Sequence, residues 1–421
     1  MSAATSLPPS TVLSRFNPFD PEQRRDPYGF YAEARAEGPL LRHPVVPILN
    51  AFRYADVVAI LKDDSRFSSN FEPAAEAMMS PEAREVAARR RREDLPPMMI
   101  FTDGQQHHRL RSLVNQAFTP RMIDRLRPRM AQIADGLLDE CMGAGSIDAI
   151  EQYAHPLPLI VIAEMIGVPI SDRDRFKNWS DSLVGSTGTG FGESPSEAVM
   201  NQQLVIIDEM RDYFSVLANE RRSDPREDLL SGLVAAEVEG SRLTMDEMLQ
   251  MLILLLVAGN ETTRNLIGNA IYALVMHPDQ LARLRGDAAL LSTAVDEVLR
   301  FASPFQLMVR RVSKPTEYEG LKLEPDTMIL TWLGSANRDP EVFDHPEVFD
   351  ISREQNRHIA LSIGPHYCLG ANLARAEAQL AIERLLARTR RIELATSEPL
   401  PLHPSFAFNG FTSMPLELEA V

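Results

Sequence analysis

Leu361-Ser362-Ile363-Gly364-Pro365-His366-Tyr367-Cys368-Leu369-Gly370-Ala371 is the stretch that decides how this 421-residue chain folds. A lone cysteine stands between two glycines, immediately before a helical pattern running from Ala371 to Thr389. Its sulfur is expected near a helix N-terminus, where the dipole and unpaired backbone N–H groups favour a thiolate. Gly364 and Gly370 let the backbone turn tightly and approach something flat and bulky. Taken alone, the same letters also describe a buried, inert cysteine beside a turn. The features upstream decide between the two.

The best-defined helix starts near Thr244, which forms a capping box with Glu247, and ends at Pro278. That is about 32 residues, or roughly 48 Å at 1.5 Å per residue. Ala258-Gly259-Asn260-Glu261-Thr262-Thr263 interrupts its apolar run. Gly259 costs about 1 kcal/mol of helix stability relative to alanine, so something must compensate. A glycine beside an acid and an alcohol can loosen a helix and supply a proton-delivery pair; a kink needed only for packing explains it equally well. Glu297 and Arg300, three apart on a helix, can pair, as many exposed residues do. In His107-His108-Arg109-Leu110-Arg111, His107 and Arg111 share a helix face and can grip one anion, or simply form surface charge.

Helical periodicity also marks Tyr54 to Lys62, Arg109 to Phe118, Met122 to Met142 and Leu204 to Arg221. Strand patterns are few and late: Leu321 to Leu323, Met328 to Trp332 and Ser413 to Glu417. Asn70 to Asp103, Gly185 to Pro195 and Asn337 to Gly364 read as irregular, the first carrying the arginine run Arg89 to Arg92. No Gly/Ser-rich linker divides the chain. One mainly α domain with small β-sheets, residues 1–421, is expected, with 1–18 a poorly ordered extension.

Hydrophobic residues are 44% and charged residues 24%, as expected of a soluble globular protein. The net charge of −16 argues against nucleic acid or an anionic membrane surface as a partner. Two cysteines far apart, Cys141 and Cys368, fit a reducing, cytoplasmic compartment better than a disulfide framework. No apolar stretch approaches the roughly 20 residues of a membrane span.

In order and spacing, these features together resemble the cytochrome P450 family of haem-thiolate monooxygenases, from about Phe19 to Leu418. Leu361 to Gly370 is similar to the haem-binding loop F-x-x-G-x-x-x-C-x-G, with Leu361 in place of Phe and Ser362 in place of a usual Gly. Ala258 to Thr263 matches the oxygen-activation motif A-G-x-[DE]-T-T. Glu297 and Arg300 match E-x-x-R, and Asn337-Arg338-Asp339-Pro340 opens a stretch that resembles the family's meander.

The resemblance implies the P450 fold, with haem b (iron protoporphyrin IX) between the long helix and the Cys368 loop. It implies Cys368 as iron ligand and a haem environment that includes Ala258, Gly259, Leu361, Gly364 and Gly370. His107, Arg111, Arg310 and His366 fall where the family binds the haem propionates. Glu297, Arg300 and Arg338 become a buried scaffold network, and Thr262 and Glu261 the pair that hands protons to dioxygen. Met98, Met99, Leu254, Leu307, Met308 and Phe408 are expected to line the pocket of a small apolar organic substrate. Electrons are expected from a ferredoxin and its NAD(P)H-dependent reductase, docking near Arg109, Arg357 and His358 on a monomer. A peroxide-driven enzyme and a non-catalytic haem sensor or carrier are the alternatives.

Overall fold

The capping box expected at Thr244 is present in the computed structural model. The Glu247 amide donates to the Thr244 hydroxyl at 3.1 Å, and the Thr244 amide donates to the Glu247 carboxylate at 2.9 Å. From there one uninterrupted α-helix of 32 residues runs Met245–Met276. It stops at His277, before Pro278 opens the next helix. The structure describes residues 7–79, 84, 95–142, 146–187 and 197–421. The run Arg89–Arg92 and residues 188–195 of the Gly185–Pro195 segment lie outside them.

The chain divides into two units. The first comprises Met1–Leu110, Phe305–Val348 and Arg357–Cys368. Its five-stranded sheet is ordered Leu41–Arg42, Ile48–Ala51, Met328–Trp332, Leu307–Val312, Phe67–Ser68. Ile48–Ala51 runs parallel to Met328–Trp332, and the other pairings are antiparallel. Thr316–Tyr318 and Leu321–Leu323 form a separate hairpin. Leu49, Val57, Ile60, Phe67, Val312 and Ile329 are fully buried in this unit's core. Val57 and Ile60 come from the helix Tyr54–Lys62, whose three-residue apolar spacing makes one packing stripe. Of the described residues 7–18, part of the stretch expected to form a poorly ordered extension, Ser10, Val12 and Leu13 are buried. The Ser10 hydroxyl and the amides of Thr11 and Val12 all donate to Glu37, which anchors that segment.

The second unit comprises Arg111–Pro304, Phe349–Asn356 and Leu369–Val421. It is helical around Met245–Met276, which packs against Pro156–Ile166 and Ala371–Arg388. Ala371–Arg388 also packs against Pro120–Cys141. Gly259 now has its compensation: a Cβ there would stand 3.0 Å from Cδ1 of the buried Ile162, so the glycine admits the neighbouring helix. The helix is not loosened at this point. A small antiparallel sheet, Ser146–Asp148, Pro415–Ala420, Thr389–Leu394, completes the unit. Among the described residues no helix is long and apolar enough to cross a membrane.

Candidate active site

The Cys368 loop closes on itself through the Cys368 amide, which donates to the Leu361 carbonyl at 2.9 Å. Between these two, Gly364–His366 makes one 3-10 turn. Gly364 has φ +79°, and a Cβ on it would meet the Leu61 carbonyl oxygen and Lys62 Cα at 3.0 Å. Both the conformation and the close approach exclude a side chain there.

Ser362 shows why glycine is usual at its position. Its φ is 61°, in the left-handed region, and its buried hydroxyl has no hydrogen-bond partner. A side chain in that conformation costs on the order of 1–2 kcal/mol, and an unpaired buried hydroxyl adds to the cost. Ser362→Gly is therefore expected to stabilise the protein by about 1 kcal/mol, after the entropy cost of glycine. A urea midpoint unchanged or lowered in that variant would contradict this account.

A charged cluster lies within the first unit. His107, buried on the helix Gly104–Ala117, stacks obliquely on His366 with ring centroids 4.1 Å apart. His366 Nε2 is 3.5 Å from Asp103 Oδ1. Asp103 also accepts from the Ser68 hydroxyl and from the amide and hydroxyl of Ser69. Burial opposes ionisation of Asp103, but His366 and these serine donors outweigh it and hold the acid well below the usual carboxylate range. Arg310, 2% exposed, donates Nη1 to the Val309 carbonyl at 2.8 Å, while its buried Nη2 has no hydrogen-bond partner. Burial pulls its pKa down to about 10, against the charges of Asp103 and Asp64. A desolvated guanidinium with an open donor is suited to an incoming anion. Arg111 follows His107 by one turn on the same helix and is half-buried.

The acid–alcohol pair lies in the second unit. Thr262 donates its hydroxyl to the Ala258 carbonyl at 2.6 Å. Glu261 is buried and accepts from Arg264 Nη1 at 3.2 Å, while His403 Nε2 lies 3.2 Å from its Oε1. Burial raises the Glu261 pKa, but the His403 hydrogen bond and the Arg264 charge bring it below the ordinary value. Arg264 also reaches toward Glu151, a surface residue, at 3.7 Å.

Glu297 and Arg300 are both 0% exposed and bridge bidentately at 2.7 and 2.8 Å. The same carboxylate accepts from Arg353 Nε, Asn356 Nδ2 and the Asp350 amide. Within this unit Arg353 extends the pair. Arg338, expected in that role, is buried, donates to the Pro346 carbonyl and lies over the Tyr28 ring at 4.0 Å.

The expected pocket residues divide between the units. Met99 is buried in the turn Met99–Phe101, with Met98 just before it. Strand alternation puts Met308 on the same face as Arg310 and fully buried Leu307 on the opposite one. Leu254 is half-buried on the long helix, and Phe408 packs its ring 4.8 Å from His403.

Asp103, Ser68, Ser69, His403, Arg264 and Arg353 escaped the sequence reading. Only Asp103 carried a local signal, as an acid directly before a helix start.

The cytochrome P450 family model matches residues 194–415, and the chain belongs to the cytochrome P450 family. Its members are haem-dependent monooxygenases, and this protein is one. The polyketide biosynthesis cytochrome P450 PksS of Bacillus subtilis strain 168 is 37% identical over 413 residues, covering 96% of this chain and 98% of its own. The structure of cytochrome P450 CYP109Q5 from Chondromyces apiculatus matches with a TM-score of 0.86 at 37% identity, covering 96% of this chain and 98% of that one. That of CYP109E1 from Bacillus megaterium in complex with testosterone matches at 0.82 and 34%, covering 93% and 99%. The first unit's donors fit a haem: the open Nη2 of buried Arg310, whose charge is felt by the Asp103 that also meets His366, suits a propionate carboxylate.

Proposed function

We propose that Cys368 is the axial thiolate ligand of the haem and that His107, Arg111, Arg310 and His366 bind its propionates. The single observation that carries the propionate assignment is Arg310, a buried cation whose Nη2 still lacks a hydrogen-bond partner. Gly364 lets the ligand loop pass close under Leu61, and Leu361 anchors it by accepting from the Cys368 amide. When bound, the haem supplies dioxygen activation and insertion of one oxygen atom into the substrate.

The protein's own contribution is proton management and orientation. Glu261 holds an ionised carboxylate away from bulk water and passes protons inward from solvent. Thr262, locked to Ala258, offers a hydroxyl oxygen at a fixed place on the helix. A peroxide-driven enzyme or a haem carrier has no need of this acid–alcohol pair, so its presence favours the monooxygenase reading. Thr262→Ala is expected to go on consuming NAD(P)H but to divert it to hydrogen peroxide, with product per NAD(P)H down about 10-fold or more. Full coupling in that variant would overturn the assignment.

The substrate we propose is a bulky apolar molecule of steroid or polyketide size. The apolar residues Met98, Met99, Leu254, Met308 and Phe408 support this, as do the testosterone held by one structural relative and the polyketide pathway named for another. Spin-state titration of the haem-loaded protein with testosterone and with a macrolide tests it. Electrons come, in this reading, from a ferredoxin and its NAD(P)H-dependent reductase, docking on the first unit where Arg357 is exposed and Arg109 and His358 are half-buried. A cytoplasmic monomer agrees with two free cysteines.

A further inference from the structure

Among the described residues Glu261 has side-chain partners in Arg264, on its own helix, and His403, which is not on it. Arg264, three residues on, donates Nη1 to both carboxylate oxygens at 3.2 and 3.4 Å. The other is His403, from a C-terminal loop closed by the His403 amide donating to the Gly410 carbonyl at 2.9 Å and by a bridge between Leu402 and Phe411. His403 Nε2 stands 3.2 Å from Glu261 Oε1, and the two side chains are only 7% and 4% exposed.

The state of this imidazole is set by its other nitrogen. The Ser405 amide donates to His403 Nδ1 at 3.1 Å, so Nδ1 is an acceptor and the proton of the neutral ring sits on Nε2, facing Glu261. A backbone amide thereby fixes which way the histidine donates. The ring of Phe408 packs 4.8 Å from the same imidazole, tying it to a residue expected to line the substrate pocket. Among the described residues, the charge of His155 also favours the Glu261 carboxylate, and Glu151, mostly exposed, approaches Arg264 at 3.7 Å.

We propose that His403 is a positioning residue for Glu261, holding the carboxylate by its Nε2–H so that Glu261 and Arg264 keep one orientation, with Phe408 linking that hold to the C-terminal loop. This rests on the reading of Glu261 as the proton-delivery acid. Burial alone drives a carboxyl toward its neutral form, and the Nε2–H bond opposes that. Without it the Glu261 carboxyl titrates at higher pH and loses its fixed direction.

The test uses the haem-loaded full chain. In ¹⁵N-histidine-labelled protein near neutral pH, the imidazole signal assigned to His403, by its loss in either variant below, is expected to be the Nε2–H tautomer; an Nδ1–H tautomer overturns the proposal. With a ferredoxin–reductase pair and testosterone as probe, His403→Phe is expected to release several-fold more hydrogen peroxide per NAD(P)H. The pH midpoint of that partition should move upward. His403→Gln, whose amide can still donate to Glu261, should return both toward the unmutated protein. An unchanged partition and midpoint in His403→Phe overturn the proposal. Glu261→Gln separates the two layers. If it raises peroxide release and His403→Phe does not, only the positioning role fails; if it changes nothing, the assignment of Glu261 as the acid fails as well.

Discussion

Cys368→Ala protein is expected to lose its haem or to hold it without the long-wavelength band that reduced, carbon-monoxide-treated thiolate-ligated haem gives. Monooxygenase turnover should fall by more than about 100-fold, since the loss of a direct ligand exceeds the 10- to 100-fold typical of outer-shell partners. The loop geometry makes this a clean experiment. Cys368 is joined to Leu361 through its backbone amide, not its side chain, and the turn is shaped by Gly364. Alanine keeps both features, so the loop is expected to remain folded. The imidazole pair and Arg310 would also remain, and in the proposed reading they would hold the propionates, not the iron. Haem retention with an unaltered spectrum in this variant would end the assignment of Cys368.

The second large effect belongs to Glu297. Its carboxylate bridges fully buried Arg300 and also receives Arg353, Asn356 and the Asp350 amide. Glu297→Ala leaves two guanidinium groups without that counter-charge, a loss of about 3–5 kcal/mol for breaking a buried pair. Against a total stability of roughly 5–15 kcal/mol, that is enough to prevent accumulation of soluble, haem-loaded protein. Glu297→Gln keeps the shape and the acceptor for Asp350 but not the charge, and is expected to fall between the two in urea unfolding. Wild-type yield and midpoint in Glu297→Ala would show that the network is dispensable.

The long helix was legible to within two residues at its end and to the residue at its cap, because Thr244, Glu247 and Pro278 are local signals that act within one turn. The helices at Tyr54–Lys62 and Ala371–Arg388 were legible from spacing for the same reason. The strand Leu307–Val312 was not, because Arg310 and Arg311 break the apolar alternation that marks a half-buried strand. Arg310 is buried although charged, which periodicity cannot register. Arg353 and Asn356 were hidden differently. They meet Glu297 across 56 and 59 residues of chain, from a stretch with no periodicity at all. His403 reaches Glu261 from still further along, and nothing in its neighbours' letters points there. Ser362 is the intermediate case. That it departs from the family's glycine was readable, but the left-handed backbone that makes the departure costly was not.

The contact between Thr262 and Ala258 limits what that alcohol can do. A hydroxyl owns a single hydrogen, and here the carbonyl one turn back has claimed it at 2.6 Å. What remains facing outward is a pair of lone-pair directions, so in this rotamer Thr262 can receive a hydrogen bond but has no proton to give. If Thr262 acts as proposed, the protons it helps to guide would have to come from elsewhere, and the alcohol would serve as a landing point whose strength is set by the carbonyl behind it.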